Sequence, residues 1–311
     1  MLRFKRQLSQ PVFQYLLDSG SFIIPEIMSA RPDKMPFALD IQLREQDKIM
    51  VYMGTTRLLV IAIDSNRERL TFSAAQSYSD PFLSTYKFSI FPKGEITEYL
   101  KRTIQKVDSR YFQNRKEGYY QNLICYEYGE NAKSDSPFIV IDRECVIGYD
   151  DTKAKNKYLK PISDKYRRLI AKVKQNDPKT YGTSKLKNLG NELDLLAVDP
   201  EGNLCCIELK HGSNTSGIYW GPFQIAVYKE IFNIQSVQSI FQYIQALIAQ
   251  KIALGLLPTN AGSVLDGRDN FNTIRPILGI GAPNPKSKCF TRMNYLMEKH
   301  RPLLDCEVIE F

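Results

Sequence analysis

Residues 191–210 read NELDLLAVD (191–199), PEG (200–202) and NLCCIELK (203–210), two apolar segments joined by three turn-forming residues. Pro200 suits the position of a type I turn that needs φ near −65°, and Gly202 suits the left-handed residue that follows. This is the signature of a three-residue hairpin loop with a bulge. It pairs Asp199 with Asn203, places Asp194 opposite Glu208, and places Glu192 opposite Lys210. Because strand side chains alternate, those last four share one face, and Leu193, Leu195, Ile207 and Leu209 point to the other.

Two carboxylates opposed on neighbouring apolar strands repel and lose solvation, so the arrangement asks for a cation between them. An all-oxygen site of this kind suits Mg²⁺ or Mn²⁺. Lys210 lies close enough to orient or deprotonate an attacking water and to offset charge on a phosphate. The plainer alternative is a Glu192–Lys210 cross-strand ion pair, with Asp194 and Glu208 in water near a strand end.

Working outward, the segments from Phe37 to Arg44 and from Lys48, Arg57, Arg69 and Thr85 read as five short strands, so the first third is β-rich. A helix is expected from Glu95, and a second within 110–130. After a buried strand from Pro137, a basic helix is expected to start near Pro161, to bury Ile162, Tyr166, Leu169, Ile170 and Val173, and to stop before Pro178. Beyond the hairpin, a loop from His211 to Gly217 leads to a helix near Gly221. A long amphipathic helix from Val237 follows, then a buried strand from Ile274, a helix near Lys286 and a last strand, DCEVIEF. The expected division is a β-rich accessory domain over 1–130 and a second domain over 131–311, giving a mixed α/β (α+β) fold.

The chain has 311 residues and a net charge of +8. Residues 151–190 hold 12 Lys or Arg against 3 Asp, a net +9, so the remainder sums to −1. Charge concentrated in this way is a footprint for a polyanion, with a solvated Lys-rich helix as the alternative. Lys165, Arg167, Arg168, Lys172, Lys185 and Lys187 are the candidate nucleic-acid contacts. The six cysteines show no CxxC pairing, and two histidines cannot assemble a His-rich metal site. With no long apolar run and no secretory leader pattern, a cytoplasmic protein without membrane contact is expected. Trp220 reads as core packing or a base-stacking ring, and His211 as incidental or a phosphate contact.

Asp194, thirteen intervening residues, then Glu208-Leu209-Lys210, within an αβββαβ pattern, resembles the PD-(D/E)xK or restriction-endonuclease-like nuclease superfamily. The resemblance covers roughly 135–311. It implies a core of a central mixed sheet flanked by helices, with Mg²⁺ held by Asp194, Glu208 and the backbone carbonyl of Leu209, and Lys210 as the catalytic lysine. The family's Pro before the Asp is replaced by Leu193. Gln224 and Tyr228, four apart on the next helix, are similar to the Gln-xxx-Tyr motif of RecB-like nucleases. The family's first acidic motif resembles Glu144 on the strand that also carries Asp142, with Glu192 as competitor for the remaining metal position. The resemblance implies a metal-dependent DNA endonuclease, with DNA rather than RNA as partner and the oligomeric state left open; the alternative is a nuclease-fold binding module without turnover.

Overall fold

A computed structural model describes the chain except residues 1, 5, 19, 33–37, 108–111, 113–115, 183–188, 190–191 and 235–236. It is an α+β protein with two five-stranded sheets. The chain divides into two compact units. One comprises Lys5–Ile141 and Gln242–Asp266, and the other Met1–Phe4, Asp142–Phe241 and Gly267–Phe311. The expected boundary at 130/131 therefore shifts to 141/142, and two short segments belong to units remote from them in sequence.

A two-residue strand β1 (Leu2–Arg3) pairs with β8 (Gly148–Tyr149) in the second unit. In the first unit, β2 (Asp40–Arg44), β3 (Lys48–Met53), β4 (Thr56–Asp64), β5 (Arg69–Ser73) and β6 (Thr85–Lys87) form an antiparallel meander in sequence order. All five strands fall where alternation placed them, although the first expected residue, Phe37, lies outside the described residues. The sheet's apolar face packs with helices Gln10–Leu17, Ile23–Ser29 and Glu95–Lys106. Leu247 and Leu256, from the returning segment, complete that core. Gln250 bonds both backbone groups of Leu8, at 2.8 and 2.9 Å. Buried Lys251 donates to Gln42 and to the Ile141 carbonyl. The stretch expected to be one helix over 110–130 forms a helix at Lys116–Cys125 followed by a single π turn at Tyr126–Glu130.

The other sheet runs β12-β11-β10-β9-β7, from β7 (Ile139–Cys145), β9 (Leu193–Val198), β10 (Leu204–His211), β11 (Ile274–Gly281) and β12 (Glu307–Glu310). β10 is antiparallel to β9 and parallel to β11, and β11 is parallel to β12, so the sheet is mixed. Helix Thr215–Ile234 carries the chain from β10 and lies against β11. At Gly221 a Cβ would meet Leu278 Cδ1 at 2.5 Å, so a larger residue there would force the Leu278 side chain to move. That helix begins six residues before Gly221, shortening the expected loop.

The basic helix spans Thr152–Asn176 and starts nine residues before Pro161. Asp151 caps it by accepting the Ala154 N–H at 2.7 Å. The apolar stripe Leu159, Ile162, Tyr166, Ile170 and Val173 keeps a spacing of three or four straight through the proline. An interior proline costs about 3 kcal/mol, and burying one large apolar side chain returns about 2 kcal/mol. Continuity of the buried stripe therefore outweighs the lost hydrogen bond. Leu169 is half-buried, at the margin of that stripe.

Candidate active site

The hairpin turn forms as its residues dictate. Gly202 takes φ +80, its N–H donates to the Asp199 carbonyl at 2.9 Å, and the Asp199 carboxylate accepts both the N–H and the side-chain amide of Asn203 at 2.8 Å. The ladder pairs Val198 with Leu204 and Leu195 with Ile207, the register read from the turn. It stops there. One step further, Asp194 does not extend the backbone pairing; its carboxylate accepts the Leu209 N–H at 2.7 Å.

Glu208 and Lys210 follow on the same face of β10, and both are buried. The Lys210 ammonium donates to Glu208 Oε1 at 2.6 Å and to the Leu209 carbonyl at 2.9 Å, and lies 3.9 Å from Asp194 Oδ2. The oxygens of Asp194, Glu208 and Leu209 thus converge on one cation, supplied by the chain itself. Asp194 nevertheless has its carboxyl pushed well above the usual range, by burial first and then by Glu208, although 29% of its side chain is exposed. Lys210 and the Leu209 N–H act in the opposite direction and are outweighed.

Helix Thr215–Ile234 closes the site. Gln224 donates to Glu208 Oε1 at 2.9 Å, the same oxygen that Lys210 uses. One turn on, the Tyr228 hydroxyl accepts the Glu192 N–H at 3.0 Å and donates to the Glu192 carbonyl. Burial raises the Tyr228 hydroxyl's pKa, with Glu208 and Asp194 adding to the shift, so it stays protonated. The two residues of the helical pair therefore divide the work, one on the buried carboxylate and one on the strand leading into it.

Glu144 lies at the end of β7, half-buried, in the left-handed region at φ +48. Its charge contributes to the upward shift of Asp194, so it faces the cluster electrostatically. A non-glycine residue held there costs on the order of 1–3 kcal/mol and signals a constrained position. Glu192 is exposed beyond the end of the ladder, bonded to Tyr228 through its backbone. Among the described residues, no three Asp, Glu, His or Cys side chains gather closely enough to hold a metal ion. The oxygen donors that do converge are two carboxylates and a main-chain carbonyl.

The candidate nucleic-acid residues separate on inspection. Arg167, Arg168 and Lys172 are exposed on the basic helix, Arg167 within 3.5 Å of Asp164. Lys165 is held by Glu230 at 2.5 Å, and Tyr166 donates to the same carboxylate at 2.7 Å. Lys185 and Lys187 lie outside the described residues. Trp220 is buried, as packing predicts, with the Lys174 ammonium 5.8 Å above its ring. His211 is engaged in its own turn, its Nδ1 accepting the Ser213 N–H at 3.0 Å. The six cysteines form no disulfide among the described residues, and all but Cys306 are buried.

Alternation put Lys210 on the face of both carboxylates but did not identify it as the cation between them. Nor did the sequence signal the left-handed turn at Glu144. No helix among the described residues is long and apolar enough to cross a membrane. A scan against protein-family models, a search of curated proteins and a search of solved structures each return no match for this chain.

Proposed function

We propose that the chain is a metal-dependent nuclease of the PD-(D/E)xK, restriction-endonuclease-like class, acting as a DNA endonuclease. The observation that carries this reading is the convergence of Asp194, Glu208 and the Leu209 carbonyl on a single cation. These are the donors expected of the family, and all are oxygens. The Lys210 ammonium is a stand-in for the ion they would hold, so the donor set fits Mg²⁺ or Mn²⁺. When bound, such an ion would polarise the scissile phosphate and acidify a nearby water.

The chain's own residues would do the rest. Lys210, released from Glu208, would orient the attacking water and, as an ammonium, donate a hydrogen bond or a proton to the phosphate oxygens. Gln224 would keep Glu208 oriented, and Tyr228 would fix the entry of β9 through Glu192. Glu144 or Glu192 would supply the remaining acidic group. Arg167, Arg168 and Lys172 would contact the phosphate backbone, and the β-rich unit would serve target choice.

The test is Mg²⁺-dependent cleavage of plasmid, single-stranded DNA and RNA by wild type and by Lys210→Ala. A loss of at least about a hundredfold in the variant is expected, in the range of general acid–base contributions. Equal rates, or no cleavage of any substrate, would end the catalytic reading.

A second reading, a nuclease-fold binding module without turnover, is favoured by one observation: among the described residues no three acidic side chains gather closely enough to hold a metal ion. It predicts salt-sensitive nucleic-acid binding that survives Asp194→Ala and needs no divalent ion.

A further inference from the structure

Helix Lys288–Lys299 buries Cys289, Met293 and Leu296. At about 100° per residue, Lys288, Arg292, Tyr295 and Lys299 fall on one stripe at the margin of that buried face. Lys288, Tyr295 and Lys299 are exposed and Arg292 is half-buried. Tyr295 is 51% exposed, with the Lys299 ammonium 2.9 Å from its hydroxyl and 5.1 Å from its ring centroid.

The stripe meets the basic helix over a shared aromatic cluster. The Arg292 guanidinium sits 5.9 Å from the Tyr219 ring and the Lys174 ammonium 5.8 Å from the Trp220 ring. Those two rings are 5.2 Å apart, and Tyr181 touches both. Lys172 and Lys299 both bear on His300, whose imidazole is held below its usual range by burial first and then by these two charges. Acidic groups are also near: Glu298 is exposed one step off the stripe, and Asp177 caps the short helix that carries Tyr181. The cations still dominate this face, which joins two segments more than a hundred residues apart. Gln224 follows Trp220 by four residues on the same helix, an axial rise of about 6 Å.

Several cations flanking an exposed aromatic ring match a ligand with regularly spaced anions and a flat apolar group. A nucleic-acid strand with an unpaired base has both. We propose that Lys172, Lys288, Arg292 and Lys299 bind the phosphates of a single-stranded stretch of nucleic acid and that Tyr295 stacks on one of its bases. This rests on the nuclease reading only in supposing that the strand runs on to the carboxylate cluster.

The test is fluorescence anisotropy of labelled oligodeoxythymidine and of a labelled duplex, with the full chain in EDTA across a salt series. The wild type is expected to bind the single strand more tightly than the duplex. Lys288→Gln combined with Lys299→Gln should weaken binding of both and lower the salt slope for single strands by about 1.4. Tyr295→Ala should weaken single-strand binding roughly 5- to 100-fold and leave the duplex within about twofold. All three side chains are exposed, so an unchanged thermal melt is expected in each variant. Binding of neither oligonucleotide by the wild type, or unaltered affinity in the double variant, overturns the surface. An equal loss on both ligands in Tyr295→Ala overturns the stacking. Binding that follows the expected pattern in a chain that cleaves nothing with Mg²⁺ or Mn²⁺ removes the catalytic reading and keeps the surface. Mg²⁺-dependent cleavage with unaltered affinity in the variants does the reverse.

Discussion

Lys210→Met isolates the electrostatics of the carboxylate cluster. In the wild type the ammonium contacts Glu208, whose side chain is 4% exposed, and lies 3.9 Å from Asp194. Methionine preserves most of the volume and removes the charge, leaving two carboxylates facing each other in a site that excludes most water. Breaking a buried pair by deleting one partner costs about 3–5 kcal/mol. Lys210 is itself 8% exposed, so solvent screening reduces that figure little. The loss should depend on pH. A carboxyl whose folded-state pKa is raised contributes stability that is fully present below its unfolded pKa and is lost as pH rises through the folded one. Asp194 is already raised in the wild type, and without Lys210 it should rise further. The deficit should be largest near pH 8 and shrink on acidification, as one carboxyl takes a proton and the repulsion disappears. Urea unfolding at pH 8 and at pH 5, with the slope checked for constancy, measures the difference directly. Adding Glu208→Gln to Lys210→Met should recover much of the loss at pH 8. A deficit below about 1 kcal/mol, or one that is the same at both pH values, would mean that the ammonium does not stabilise the paired carboxylates.

Four further outcomes follow from the geometry. Gln224→Ala removes a hydrogen bond to a buried carboxylate and should cost about 1.5–3 kcal/mol in urea unfolding; Gln224→Glu should cost more by adding a third negative charge. Tyr228→Phe loses both bonds to the Glu192 backbone and should cost about 1–3 kcal/mol, with hydrogen exchange at the Glu192 amide accelerating while β10 amides stay protected. Gly202→Ala should lose about 1–2 kcal/mol, because φ +80 is unfavourable for a residue with a Cβ, and the new methyl would meet the Arg268 side chain. Mn²⁺ at a hundred times its dissociation constant should raise stability by about 2.7 kcal/mol; an equal gain in Asp194→Asn would place the ion elsewhere.

Local chemistry was legible where the sequence itself closes the loop. Pro200 and Gly202 define one turn, the turn sets the register, and the register aligns Asp194, Glu208 and Lys210. The strands of the first sheet follow from alternation for the same reason. What was not legible depends on partners distant in the chain. The amphipathic pattern of Val237–Ala253 shows that a stripe will be buried, but nothing in it assigns Leu247 to the core of the N-terminal strands. Pro161 resembles a helix start, yet the stripe of Leu159, Ile162 and Tyr166 runs through it, and Asp151 caps the helix ten residues earlier. Charge counting behaved in the same way. Residues 151–190 account for the net excess, but Lys165 is engaged by Glu230, and the stripe of Lys288, Arg292 and Lys299 lies in the remainder, whose charges sum to −1.

The place where the β9–β10 ladder ends ties these local features to function. Had backbone pairing continued past Ile207, the Leu209 N–H would have bonded across to β9, and the Asp194 carboxylate would have had no reason to turn toward it. Because the ladder stops, that carboxylate caps Leu209 and is drawn toward Glu208. The repulsion this creates is met by a single ammonium, while Glu144 adds negative charge from the end of β7. One monovalent group cannot neutralise two carboxylates, and their repulsion adds to the upward shift that burial already gives Asp194. Among the interactions described, the cluster therefore carries more negative than positive charge. On the proposed nuclease reading a divalent cation would offset that excess and free Lys210 to face an incoming phosphate. A site built only to stabilise the fold would lower its energy by replacing one of the carboxylates with a neutral side chain.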